Sequence, residues 1–78
     1  MQLTIKYFGM LAEATAITEE QLHIDVCSVA ELLNTLKDEY PKLRDKDFKV
    51  AVNQELVGNN YTINTEAEVA LLPPFAGG

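Results

Sequence analysis

The chain has 78 residues, of which 47% are hydrophobic, and its 12 acidic residues outnumber the 6 basic ones to give a formal net charge of −6. This length allows one small domain, and the hydrophobic content suffices for a core and argues against a disordered chain. The negative charge argues against nucleic acid as a partner, and no apolar run approaches the roughly 18 residues of a membrane span.

The first predicted element is a strand over residues 2–8, because Leu3, Ile5 and Tyr7 alternate with polar neighbours. This alternation differs from the continuous apolar segment of a signal peptide, so we expect a cytoplasmic protein. Residues 10–14 favour one or two turns of helix after the strand.

A second strand is predicted over residues 21–26, with Leu22, Ile24 and Val26 on its inward face. The same alternation places His23 on the outward face. A lone imidazole there is more typical of ordinary surface than of a metal ligand or a catalytic base.

A helix follows, and its start is the clearest local signal in the sequence. Ser28 and Glu31 have the spacing of a capping box, in which each side chain bonds the backbone N–H of the other residue. Pro41 disfavours helical geometry in the residue before it, so the helix should end at Tyr40. Five apolar residues recur at helical spacing and predict one buried stripe: Val29, Leu32, Leu33, Leu36 and Tyr40.

The remainder of the chain is predicted to be a charged surface loop followed by strands. The loop covers residues 42–47, and a third strand covers residues 48–53. Residues 56–57 favour a short return strand, and a final strand covers residues 68–72 before two prolines that cannot donate to a sheet.

The order of these elements indicates the fold class. One amphipathic helix packed on one mixed sheet gives a two-layer α+β domain, and a ubiquitin-like β-grasp accommodates this order economically. A ferredoxin-like fold would need a second full helix, for which residues 10–14 are too short. We expect the β-grasp domain over residues 1–74 and a flexible diglycine tail over residues 75–78.

Catalytic machinery is not evident in the sequence. No arrangement of serine or cysteine with histidine, no phosphate-binding glycine loop and no metal-ligand cluster is present. Cys27 is the one cysteine and is best explained as a small buried residue at a strand end. The chain is therefore not expected to act as an enzyme by itself, to bind a cofactor or to hold a metal.

The C-terminal stretch PPFAGG has physical properties suited to insertion into the active site of another protein. Pro73 and Pro74 hold the exit from the last strand extended, and the four residues after them reach roughly 13–14 Å. Gly77 and Gly78 carry no β-carbon and so fit a narrow channel. A terminal carboxylate is ionised and inert until another protein activates it with ATP, so the tail would be a substrate for another active site.

Four stretches, IKYFGMLAEA, SVAELLNTLKDEYP, AVNQELV and EVALLPPFAGG, resemble the small subunit of molybdopterin synthase, a ubiquitin-like sulfur carrier. The resemblance covers essentially the whole chain, and the Pro-Pro-x-x-Gly-Gly ending is its most specific element. The chain departs from the family at residues 64–68, where an acidic, glycine-containing turn is common, and this departure affects only turn geometry.

The resemblance implies a cycle that uses two partners. An ATP-dependent activating enzyme adenylates Gly78, a sulfur donor converts it to a thiocarboxylate, and the tail enters the large subunit of molybdopterin synthase. There the sulfur passes to a cyclic pyranopterin precursor, and two transfers form the dithiolene. The family also implies a heterotetramer of two large and two small subunits.

A docking patch is predicted beside the tail. Phe8 and Leu72 have the parity of outward residues, and an apolar patch of this kind marks an interaction surface. For Leu56, at a turn, burial in the core and exposure in the patch remain equally open. The residues assigned to the partner contact are Phe8, Leu56, Leu72, Pro73, Pro74 and Phe75, with Gly77 and Gly78 as the reactive end.

Three other functions remain open from the sequence. The chain could be the sulfur carrier of another pathway, such as thiamine synthesis or tRNA thiolation, although the thiamine carrier generally lacks the Pro-Pro pair and the tRNA-thiolating modifiers are usually longer. It could be a ubiquitin-like modifier conjugated to lysines. It could also be an interaction module whose diglycine ending has no role.

Overall fold

A computed structural model of the protein describes residues 1–74, which form a five-stranded sheet, a two-stranded sheet and three helical segments. The helical segments are α1 (Met10–Thr15), α2 (Val29–Glu39) and a 3-10 helix (Pro41–Leu43). The strands are β1 (Gln2–Tyr7), β2 (Glu19–His23), β3 (Cys27–Ser28), β4 (Lys49–Val52), β5 (Glu55–Val57), β6 (Thr62–Ile63) and β7 (Ala67–Leu72).

The main sheet has the strand order β2-β1-β7-β4-β5. The first and last strands, β1 and β7, are parallel neighbours at its centre, and the other pairs are antiparallel. A mixed sheet with one main helix confirms the predicted α+β, ubiquitin-like β-grasp fold. The predicted tail, residues 75–78, lies outside the described residues.

The capping box at the start of α2 is present as predicted. The backbone N–H of Glu31 donates to Ser28 Oγ at 3.1 Å, and the backbone N–H of Ser28 donates to Glu31 Oε1 at 2.8 Å. Both bonds satisfy donors that the first helical turn leaves without partners. The helix ends at Glu39, with Tyr40 as its C-cap before Pro41, which confirms the predicted end.

One apolar core joins α2 to one face of the main sheet. The helix contributes Val29, Leu32, Leu33 and Leu36, all buried. The sheet contributes alternate residues of its strands, namely Leu3, Ile5, Tyr7, Val50, Val52, Val69 and Leu71. Period-two alternation therefore leaves the intervening side chains of the same strands on the opposite face.

The predicted loop over residues 42–47 is partly wrong, because it contains a core residue. Pro41 begins the 3-10 helix, and Leu43 at its end is fully buried. The fixed φ of proline suits the first position of a helical turn, and the turn directs the single leucine of this charged stretch inward.

The predicted inward position of Val26 is also wrong, since 61% of this residue is exposed. Strand β2 ends at His23, and pairing resumes at Cys27, which lies opposite Ile63 in the two-stranded sheet. The alternation of one strand cannot be extended through the intervening bend. Cys27 itself is buried, as expected.

One carboxylate accepts hydrogen bonds from two tyrosines and so connects β1, β2 and the end of α2. Glu20 Oε2 accepts from Tyr7 Oη at 2.6 Å and from Tyr40 Oη at 2.9 Å, and the two rings meet edge to face. Burial, followed by the hydrogen bond to Glu20, raises the pKa of Tyr40 to about 12 and raises the pKa of Tyr7 as well. The members of this cluster are distant in the chain, so no local sequence pattern predicts it.

Candidate functional site

The face of the sheet opposite the core carries an open apolar groove. Its floor follows one row across the strands, in which Ala51 of β4 lies opposite both Leu56 of β5 and Ala70 of β7. Ala70 in turn pairs with Lys6 of β1. Because the two alanines are small, the floor lies low between larger neighbours. The groove has a volume of about 470 Å³ and is lined by Lys6, Phe8, Ala51, Gln54, Leu56, Glu68, Ala70 and Leu72.

The structure brings three residues of the predicted patch together as groove walls. Phe8 is 44% exposed and Leu56 is 60% exposed, so the open question about Leu56 is resolved towards exposure. Leu72 is half-buried and lines the same groove. Large apolar side chains that share one exposed depression are typical of a protein interaction site.

Parallel pairing explains why Phe8 and Leu72 are neighbours although they are distant in the sequence. Tyr7 pairs with Leu71, and the backbone N–H of Phe8 donates to the carbonyl of Leu71 at 3.3 Å. Parallel strands end at the same edge of a sheet, so the ends of β1 and β7 coincide. The chain therefore leaves β7 beside the groove.

The chain that leaves β7 packs against Gly9. Pro73 and Pro74 are half-buried, and a β-carbon built on Gly9 would lie 3.2 Å from Pro73 Cγ. Gly9 also has φ +57°, a conformation that residues with a side chain rarely adopt. The other predicted tail residues, Phe75, Gly77 and Gly78, lie outside the described residues.

One edge of the groove is polar. Lys6 Nζ lies 3.0 Å from Glu68 Oε2, and the hydrogen bond and charge of Glu68 raise the pKa of Lys6. Asn53 holds Glu68 from the other side, because its backbone N–H donates to the Glu68 carbonyl at 2.8 Å and its Oδ1 accepts from the Glu68 N–H at 3.0 Å. Opposite charges thus neutralise each other next to the apolar walls.

Two further features of residues 1–74 lie outside the groove, namely the thiol of Cys27 and a charged cleft. Burial raises the pKa of the Cys27 thiol, with a smaller contribution from Glu31, and this disfavours the nucleophilic thiolate. A charged cleft of about 600 Å³ between α1 and the 3-10 helix contains none of the predicted site residues.

Within residues 1–74, no three histidine, cysteine or acidic side chains are grouped as a metal site. The helices of this part of the chain are too short to cross a membrane.

Comparison with known proteins identifies the family of this chain. The model of the ThiS family matches residues 5–78. The chain belongs to the ThiS family. A curated relative, the molybdopterin synthase sulfur carrier subunit of Mycobacterium tuberculosis, is 32% identical over 82 aligned positions, which cover 100% of this chain and 99% of the relative. The resemblance noted in the sequence is thus confirmed.

Solved structures of low identity share the fold of this ThiS family member. Small archaeal modifier protein 1 from Haloferax volcanii matches with a TM-score of 0.83 at 24% identity, over 100% of both chains. A chain in the complex of subunits 1 and 2 of the molybdopterin-converting factor from Helicobacter pylori matches with a TM-score of 0.70 at 20% identity, again over 100% of both chains. These likenesses support the β-grasp architecture of the chain.

Proposed function

We propose that this chain is the sulfur-carrier subunit of a molybdopterin synthase. The observation that carries the proposal is that two apolar groove walls, Phe8 and Leu72, stand where the chain leaves β7 towards its diglycine end. A partner that covers the groove would therefore receive the tail as well. The sequence similarity to a molybdopterin synthase sulfur carrier subunit over the full chain supports this function over other uses of the fold.

The proposed partner is the large subunit of the synthase. Its matching surface is expected to be apolar where it covers Phe8, Leu56 and Leu72, with the half-buried Pro73 and Pro74 extending the contact towards Phe75. The net charge of −6 favours a basic rim on the partner. We also propose that two small and two large subunits assemble and that they do so in the cytoplasm.

The proposed chemistry takes place at Gly78. The terminal carboxylate attacks the α-phosphorus of ATP on an activating enzyme, which releases pyrophosphate and leaves an acyl adenylate. Sulfide supplied by a donor then attacks the acyl carbon and displaces AMP, which leaves a thiocarboxylate. In the large subunit this sulfur attacks an electrophilic carbon of the pyranopterin precursor and displaces an oxygen leaving group from it. Hydrolysis of the resulting thioester then leaves the sulfur on the pterin and restores the carboxylate.

The remaining residues of the chain hold and aim this group. The groove fixes the position of the domain, and the prolines set the direction of the exit with a fixed φ. Gly77 allows a close approach of the partner's walls because it has no β-carbon. Cys27 takes no part in the sulfur transfer, because it is buried and its raised pKa favours the thiol.

Reconstitution with purified components tests this function. The chain is incubated with an activating enzyme of this family, ATP and a sulfur donor, and the C-terminal peptide is then analysed by mass spectrometry. We expect a species heavier by the difference between a sulfur and an oxygen atom, and its loss when the large subunit and the precursor are added. A C-terminus found joined to lysine side chains, with no thiocarboxylate, would instead establish a protein modifier.

A further inference from the structure

The turn between β4 and β5 holds a residue in an unfavourable backbone conformation at the edge of the groove. Val52 pairs with Glu55, so the hairpin loop has two residues, and both have positive φ: Asn53 at 51° and Gln54 at 69°. This is the pattern of a type I′ turn, for which the preferred sequence is Asn-Gly. Asparagine at the first position fits the preference. Glutamine at the second position does not, because a β-carbon disfavours the left-handed region.

The two turn residues differ in how their side chains are used. Asn53 is fully engaged, since its backbone N–H and its Oδ1 both bond to the backbone of Glu68 in β7. This pair of bonds fixes the position of the turn on the sheet. The carboxamide of Gln54, by contrast, forms no hydrogen bond with any group of residues 1–74 and is exposed to solvent. Glycine would therefore serve the fold better at position 54.

The position of Gln54 gives its side chain a use outside the domain. It lines the groove together with Leu56 and Leu72, and it also borders a smaller recess of about 180 Å³ formed with Asn53 and Glu68. The strained backbone thus places a neutral group with both donor and acceptor capacity beside the apolar walls. Residues held in strained conformations are typical of binding and catalytic sites.

We propose that Gln54 is a specificity-determining residue of the docking groove, whose carboxamide hydrogen-bonds a main-chain peptide group of the large subunit. This inference rests on the proposed function, because it assigns one polar contact within that interface. A peptide group is the matching chemistry, since it offers one donor and one acceptor and carries no charge. The charged groups at the same edge, Lys6 and Glu68, are paired with each other, so the carboxamide of Gln54 supplies a neutral polar contact there.

Two substitutions at this position separate strain from recognition. Gln54→Gly removes the carboxamide and relieves the strain, whereas Gln54→Ala removes the carboxamide and retains a β-carbon at positive φ. We expect the glycine variant to have a Tm several degrees above wild type and the alanine variant to have a Tm no higher than wild type. Both should bind the large subunit about three- to tenfold more weakly, which is the net effect of one lost hydrogen bond.

Isothermal titration calorimetry with the purified large subunit and thermal unfolding of the isolated chain provide the measurements. A lower affinity in both variants, together with a Tm that is higher for Gln54→Gly than for Gln54→Ala, would support the assignment. Wild-type affinity in both variants would overturn it and leave Gln54 as a tolerated surface residue. A Tm of Gln54→Gly at or below wild type would overturn the argument that glutamine is retained at a cost in stability.

A third variant distinguishes failure of this inference from failure of the proposed function. Leu56→Lys disrupts an apolar wall of the same groove and should weaken docking strongly. If it does so while Gln54→Gly and Gln54→Ala bind normally, only the role of Gln54 is rejected. If the wild-type chain does not bind the large subunit, the proposed function is rejected together with this inference.

Discussion

Gly9 and Pro73 meet where β1 and β7 end, and a β-carbon at position 9 would crowd this contact. A β-carbon on Gly9 would stand 3.2 Å from Pro73 Cγ, and the φ of +57° at Gly9 is unfavourable for any other residue. The two restrictions are independent, because one concerns the proline ring and the other concerns the backbone. Both restrictions favour glycine at the point where the last described residues leave the sheet.

The first prediction concerns Gly9→Ala. The strained backbone should cost about 1 to 3 kcal/mol of unfolding free energy, and in a domain of this size each kcal/mol lowers Tm by about 4–8 °C. Gly58→Ala is the matched control, because φ at Gly58 is not positive and nothing lies within 4 Å of its built β-carbon. Thermal unfolding checks both variants. Equal Tm values for the two would contradict the account of Gly9.

The second prediction compares two apolar residues of equal exposure, Leu56 at 60% and Val26 at 61%. Leu56 lines the groove, whereas Val26 precedes β3 and lies outside it. Leu56→Lys should weaken binding to the large subunit by about 2 kcal/mol or more, as expected for an apolar anchor of an interface, and Val26→Lys should leave binding unchanged. Calorimetric titration measures both. If both variants lost the same binding free energy, the added charge and not the contact in the groove would account for the loss.

The third prediction concerns alkaline pH and the tyrosines on Glu20. The pKa of Tyr40 is raised from 10.0 to about 12 and that of Tyr7 is also raised, so the folded state retains protons that the unfolded chain loses near pH 10. The contribution of Tyr40 to stability should be complete below pH 10 and be lost between pH 10 and about 12. The contribution of Tyr7 should likewise be complete below pH 10 and decline as the pH rises above it. A Tyr61→Phe background leaves these two tyrosines for absorbance titration. Ionisation of both tyrosines near pH 10 would contradict the hydrogen bonding of these two residues to Glu20.

Local signals in the sequence were sufficient for several elements. The capping box of Ser28 and Glu31 uses bonds within one helical turn, so residue types and spacing predict it. Alternation predicted β1 and the outward position of Phe8, because period two is a property of a single strand. The outward position of Leu72 was predictable in the same way, whereas Leu56, at a turn, was open between burial and exposure until the structure showed it exposed.

Other features depend on contacts between distant segments. Alternation could not show that β2 ends at His23, and Val26 was misplaced for that reason. The bonds between Asn53 and Glu68 span 15 positions, so no local pattern predicts how the hairpin turn is held. Positive φ at Gln54 contradicts its local preference and becomes visible only in the structure.

The fourth prediction is that Cys27→Ala still carries sulfur. Cys27 is buried, and its raised pKa keeps it as a thiol, so the residue contributes packing and no sulfur chemistry. Loss of one buried sulfur atom should lower stability by about 1 kcal/mol. The C-terminal thiocarboxylate, measured by mass spectrometry after reconstitution, should form in the wild-type amount. A folded variant that forms none would place Cys27 in the sulfur relay.

The central claim is that the groove docks the domain while the end of the chain delivers the sulfur, and deletion of Gly78 separates these two roles. One residue changes the reach of an extended chain by about 3.3–3.6 Å, more than a reacting pair of atoms tolerates. We expect the shortened chain to retain its fold and its affinity for the large subunit, because the groove is unchanged. The decisive measurement is molybdopterin formed in the reconstituted system by this variant. The account predicts none above background, and formation at the wild-type level would contradict it.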